Sequence, residues 1–240
     1  PEDIKSSLER DRQNIAIASI TPILEWDTRD DVFSPNRGIY ASVQYKSAFK
    51  VFQADVALDK VTASIAGYSR LAGGVVAVSI RGGGINPRGR DSVADFSCSA
   101  DNCLVPIAER FFSGGRVSHR AFPTDLLGIP GETLRCKDAE LSPGDDGCEI
   151  VALGGAGLLA ASAEWRMPIW GVVGGSVFVD AGNVWPNWRD VGTAEVRWGA
   201  GLGLRVLTPV GPFRLEYGWK LDREPWESRG QLFLSFGNPF

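Results

Sequence analysis

Much of what ordinary soluble chemistry uses is scarce in this chain. Its 240 residues include one histidine and one methionine, and its four cysteines all lie between positions 98 and 148. A single imidazole excludes multi-histidine metal centres and argues against a histidine-dependent hydrolase. No nucleophile–base pair and no lipase elbow is present, and Gly82-Gly83-Gly84 lacks the lysine and following helix of a phosphate loop. A non-enzymatic role is therefore expected, with no cofactor and no metal. Lys and Arg number 25 against 29 Asp and Glu, a formal charge of −4. Without a cationic excess the chain is not expected to bind nucleic acid. No apolar run approaches about 18 residues, which excludes a transmembrane helix. It does not exclude a membrane, because a transmembrane barrel conceals its hydrophobicity in alternation.

Alternation is abundant. From Ile39 to Lys46, Ile39, Ala41, Val43 and Tyr45 share one face, and Tyr40, Ser42, Gln44 and Lys46 the other. That period of two marks a strand with one apolar and one polar side. Segments 194–207, 213–221 and 231–237 repeat it. In the last, Leu232, Leu234 and Phe236 oppose Gln231, Phe233, Ser235 and Gly237. Further candidates at 17–28, 51–71, 74–84, 157–167 and 173–182 bring the total to nine strands. The parity change near Lys60 predicts a bulge. The polar face mixes Arg, Glu, Lys and Asp with many of the 29 glycines, while the apolar face carries Trp165, Trp198, Tyr217 and Trp219. A polar interior behind an aromatic-bearing apolar exterior points to an antiparallel transmembrane β-barrel. Inward glycines let strands coil and leave room for a plug. A soluble sandwich is the competing reading of alternation alone.

Residues 85–155 form one long connection rich in Gly, Asp, Ser and Pro, and connections of that length are usually functional or disordered. It holds Cys98, Cys103, Cys136 and Cys148. An even number confined to one loop predicts disulfides in an oxidising compartment, and their spacings are not those of a zinc site. Local pairing, Cys98–Cys103 and Cys136–Cys148, is favoured among the three connectivities.

Within that connection runs Glu109-Arg110-Phe111-Phe112-Ser113-Gly114-Gly115-Arg116-Val117-Ser118-His119-Arg120-Ala121-Phe122. This resembles the sixth extracellular loop of the Omp85 superfamily, the BamA- and TamA-type outer-membrane insertases and their secretion relatives. Val177–Trp185 is similar to the family's "FxDxGxxW" strand, and Gly199–Arg205 with Thr208–Pro212 to its "GxGxGxR…TPxGP" block. Phe233–Phe240 is similar to its C-terminal signal, including Phe236, Gly237 and the terminal Phe240. Asp27–Asp31 with Pro35–Gly38 is similar to its mid-barrel "DxRDxxxxPxxG" segment. The resemblance covers nearly the whole chain, with the motifs in order. It departs from the pattern at Ala121, where the family has Gly, and at His119, where an aliphatic residue is usual. Ala121 would strain any positive φ at the tip.

The resemblance implies that residues 17–240 are the C-terminal part of a barrel of roughly sixteen strands; the polar residues 1–16 read as an upstream linker or truncated segment, and Pro1-Glu2-Asp3 does not begin a signal peptide. It implies that Gly114 and Gly115 shape a loop whose Arg120 and Phe122 fold into the lumen. Arg120 would dock there on Glu164 and Asp180, both on the inward parity. It places the chain in the bacterial outer membrane, among lipid and lipopolysaccharide. The implied function is insertion of unfolded β-barrel or autotransporter clients, and a further chain or upstream segment would complete the barrel. A barrel anchor or channel for an N-terminal domain, or a two-partner secretion transporter, is the alternative. His119 is expected to be a tolerated loop residue, and Asp27, Arg29, Asp30 and Asp31 to pair among themselves rather than hold calcium.

Overall fold

A computed structural model describes residues 16–50, 56–88, 105–138, 140–192, 195–208 and 211–237. Cys98, Cys103 and Phe240 lie outside them. Ten strands form one antiparallel sheet: β1 (Ala18–Ile20), β2 (Ile23–Asp27), β3 (Gly38–Phe49), β4 (Leu58–Leu71), β5 (Gly74–Pro87), β8 (Gly157–Trp170), β9 (Val173–Trp185), β10 (Arg197–Val206), β11 (Phe213–Lys220) and β12 (Gly230–Phe236). The long connection contributes a small hairpin of β6 (Leu134–Cys136) and β7 (Ile150–Ala152). Each of the nine expected strand segments is present. The first is broken at Thr21-Pro22, so that β1 and β2 pair separately with β3, because proline has no N–H for the ladder. Pairing otherwise follows chain order, and among the described residues neither β12 nor the β1–β2 end has a second neighbour, so the sheet is open.

Register carries the polar parity unbroken across the sheet. Ser42, Ser64, Arg81 and Ala160 stand in one row, and Ser79, Ser162, Asp180 and Gly199 in another. The opposite face is apolar and bare: Leu24, Val43, Ile65, Ile80, Leu202 and Leu234 are all exposed. Trp165 and Trp170 lie towards one end of it and Trp198 and Trp219 towards the other, which is the arrangement of two aromatic girdles around a lipid-facing band. Turns 72–73 and 171–172 close one end tightly, while 88–156, 186–196 and 221–229 cross the other. The end of the sheet that carries these longer connections is termed the outer end.

The bulge expected near Lys60 is not there. Lys46, Lys60 and Ile85 pair in continuous register, and β4 begins only at Leu58. The apolar parity switches for a different reason. At the outer end of the sheet the inward face is itself covered, and Ala48, Leu58, Ile85 and Leu158 pack there against Val105 and Phe111 of the long connection. The register irregularity on β8 lies instead at Pro168–Trp170, where proline again removes a donor.

Candidate functional site

From Val105 to Phe122 the long connection folds back onto the inward face of the sheet. Gly114 and Gly115 adopt φ of 108° and 92°, and at Gly114 a Cβ would lie 2.3 Å from the carbonyl oxygen of Pro123. The turn they make is closed by the Gly115 N–H donating to the Phe122 carbonyl at 2.9 Å. The Ser118 hydroxyl both accepts from the Gly114 N–H and donates to its carbonyl, each at 2.9 Å. The result is a stiff finger that presents Arg120, Ala121 and Phe122, all buried.

Arg120 meets three carboxylates drawn from three strands. Its Nε and Nη2 donate to the two oxygens of Asp180 at 3.0 and 2.8 Å, a bidentate fork. Its Nη1 donates to Glu164 at 2.5 Å and to Glu216 at 2.9 Å. Its own backbone N–H adds a bond to Asp180 at 2.9 Å, Ser162 accepts from Nη2 at 3.0 Å, and the guanidinium lies 3.5 Å over the Phe178 ring. The acids are shared with wall arginines. Arg166 is 2.8 Å and Arg205 3.5 Å from Glu164, and Arg214 is 3.0 Å from Glu216. Arg120 and all three carboxylates are at most 2% exposed. Charges so buried persist only when paired and hydrogen-bonded.

The structure thus brings Arg120 together with Glu164 and Asp180. Glu216, Ser162 and Phe178 complete the site, and all three lie on the inward parity, the one signal that could have nominated them. Phe122 is wedged between cations, its ring 4.9 Å from Arg197 and 4.6 Å from Lys220. Ala121 does not strain the tip, because its φ is not positive; it is simply enclosed. His119 is not a loose loop residue either. It is fully buried, edge-on to Phe122, and its Nε2 lies 3.2 Å from the Arg197 carbonyl, while Nδ1 has no hydrogen-bond partner. That carbonyl selects the neutral tautomer with the proton on Nε2.

The wall is shaped to admit the finger. A Cβ at Gly218 would lie 2.5 Å from the carbonyl oxygen of Arg120, and one at Gly199 2.6 Å from the Ala121 Cβ. Nearer the outer end, Glu109 pairs with Lys46 and Lys60 of β3 and β4. Alternation placed Lys46 on the polar face but gave no sign of its partner, and at Lys60 it suggested a bulge.

On β12, Phe233 faces inward with Gln231 and Ser235, while Phe236 stacks edge-on with Phe213 at 5.1 Å. Gly237 turns away with φ of 85°, its N–H still bonded to the Pro212 carbonyl at 2.9 Å. The acidic turn before β3 closes on itself. Asp27 chelates the Arg29 guanidinium at 2.7 and 2.9 Å. Asp30 accepts from the backbone N–H groups of Asn36 and Arg37, which hold its carboxyl below the usual range. Among the described residues no cluster of His, Cys, Asp and Glu is arranged to hold a metal ion.

Cys136 and Cys148 form the expected disulfide, joining the ends of an exposed excursion beside the Lys137–Glu149 ion pair. A closed loop of that size restricts the unfolded chain by about 2–3 kcal/mol. Replacing both cysteines with serine should speed proteolysis within 137–149 and leave the finger protected, as limited digestion of intact membranes would register.

The Omp85 superfamily domain matches residues 3–240. The chain is also similar to the outer membrane protein assembly factor BamA of Neisseria meningitidis serogroup B (strain ATCC BAA-335 / MC58). The two are 24% identical over an alignment of 165 residues that covers 57% of this chain and 19% of that protein. The chain thus spans about a fifth of that relative's length. With the family's domain running through nearly every residue, the chain belongs to the Omp85 superfamily and is a bacterial outer-membrane protein.

Proposed function

We propose that this chain is the C-terminal part of a transmembrane barrel of roughly sixteen strands that inserts β-barrel or autotransporter proteins into the outer membrane, as the name of the Neisseria relative suggests for that protein. The observation that carries the reading is the finger locked by Arg120 on the inward face of the sheet, in a chain that the Omp85 superfamily domain matches over residues 3–240; in the whole barrel the edge of β12 would form the seam. An open strand edge offers a row of N–H and C=O groups to an unfolded strand, and burying those groups in lipid unpaired is costly. Pairing with a client by β-augmentation satisfies both partners without a covalent step or a nucleotide. Phe236 and Gly237 sit where that pairing would end. In this reading β1–β2 continue into strands from an upstream segment or another chain, the partners are lipid, lipopolysaccharide and unfolded barrel clients, and the protein is not an enzyme.

Depleting the full-length protein and following newly made outer-membrane proteins tests this. Folded barrels should decline and unfolded precursors accumulate in the periplasm. Normal barrel assembly with loss of one secreted passenger would instead identify a dedicated secretion transporter, and normal assembly with no secretion defect an anchor or channel.

A further inference from the structure

The finger has a second attachment, of opposite charge to the first. Glu109 is 7% exposed and shares its carboxylate between Lys46 and Lys60, the latter 3.8 Å away. The Lys60 ammonium also donates to the Glu109 carbonyl oxygen at 2.6 Å and lies 4.7 Å over the Phe111 ring. Val105 and Phe111, on either side, are embedded in the apolar cluster at the outer end of the sheet. One wall residue therefore reads the carboxylate, the backbone and the neighbouring ring of the same loop segment.

The two attachments are separate in space. Lys60 pairs with Ile85 on β5, whereas Asp180 lies in the row of Ser79. Six residues of β5 at about 3.3 Å each put the sites about 20 Å apart along the strand direction. Different strands supply them, β3 and β4 in one case and β8, β9 and β11 in the other. Between Glu109 and Arg120 the chain passes through the Gly114–Gly115 turn, and an extended segment of that length reaches roughly 36 Å, so it has slack. Wall and loop are charge-complementary in one direction only. A displaced finger would set Arg120 towards lysines, or Glu109 towards acids, and like charges at close quarters reject that register.

We infer that Glu109, with Lys46 and Lys60, is an independent positioning lock. It keeps the base of the loop seated while the Arg120 tip leaves its acids, so release is a swing about Gly114–Gly115 and not withdrawal of the loop. The proposal deepens the insertase reading, on which its functional sense rests, but it concerns the loop alone.

Hydrogen–deuterium exchange on the full-length protein in lipid bilayers tests it. Glu109→Gln should raise exchange across 107–111 by about tenfold or more, the effect of breaking a largely buried pair, and leave 118–122 protected. Arg120→Ala should do the reverse. The double substitution E109K/K46E should restore protection at 107–111, which a space-filling role for Glu109 would not allow. If Glu109→Gln is not recovered folded, Lys46→Met with Lys60→Met removes the same pairing from the wall side. Exchange rising in both segments together after either substitution would show one cooperative lock and overturn the proposal, as would unchanged exchange at 107–111 when the pairing is removed. Because amide protection is the readout, the result stands apart from the depletion experiment.

Discussion

Arg120→Ala should unseat the tip of the loop while leaving the sheet folded and, on the insertase function proposed above, sharply reduce client assembly by the full-length protein. The side chain neutralises a site where Glu164, Asp180 and Glu216 are all buried. Removing it takes away six hydrogen bonds, counting the backbone N–H if the tip moves, and leaves acids that Arg166, Arg205 and Arg214 can only partly compensate. Deleting one partner of a buried ion pair costs about 3–5 kcal/mol. That greatly exceeds thermal energy, so the docked state should become a minor one. Lysine should not rescue, because a point charge cannot reproduce the planar fork that spans the two Asp180 oxygens. Unchanged assembly by Arg120→Ala, with the tip shown to be exposed to protease, would deny the docked finger any part in the function.

Gly218→Val should give the same phenotype without touching a charge. A Cβ there meets backbone on the finger, the Arg120 carbonyl oxygen at 2.5 Å and the Ala121 nitrogen at 2.9 Å, so no side-chain rotation relieves it. Overpacking of this kind costs about 1–3 kcal/mol or more, paid by expelling the tip. Valine suits a strand, so the sheet itself should tolerate the change. The check is whether protease sensitivity of 113–122 and loss of assembly appear together in Gly218→Val as they do in Arg120→Ala. If Gly218→Val keeps the tip protected, the wall is more yielding than its backbone contacts indicate.

These two positions also mark how far the sequence could be read. Period-two alternation located every main strand and, outside the start of β4, its inward face, because a strand's geometry writes its environment into each second residue. Motif resemblance then selected Arg120, Glu164 and Asp180. It could not select Glu216, which shares its face with Arg214, Lys220 and Gly218 and is made special only by a contact 96 residues away. Glu109 was passed over for the same reason: its lysines are 63 and 49 residues upstream. Leu58 misled more directly. An apolar residue on a polar parity reads as a slip in register when nothing in the local pattern reveals that a loop covers that end of the sheet. His119 likewise gave no warning that its ring would be enclosed between Phe122 and the Arg197 carbonyl. Alternation reports which side a residue faces; it is silent about what comes to lie there.

The composition of the Arg120 site also imposes an order of events during biogenesis. Its acids arrive on β8, β9 and β11, so the chain must be laid down at least to Glu216 before the guanidinium has its full set of partners. Contacts spanning 44, 60 and 96 residues carry a loop-closure cost that is met only after the hairpins between them have formed. In the closed barrel proposed above, the finger would also have to enter while a gap wide enough to pass it remains. Capture of Arg120 is thus a late step, and a seated finger certifies that the wall behind it has been built correctly.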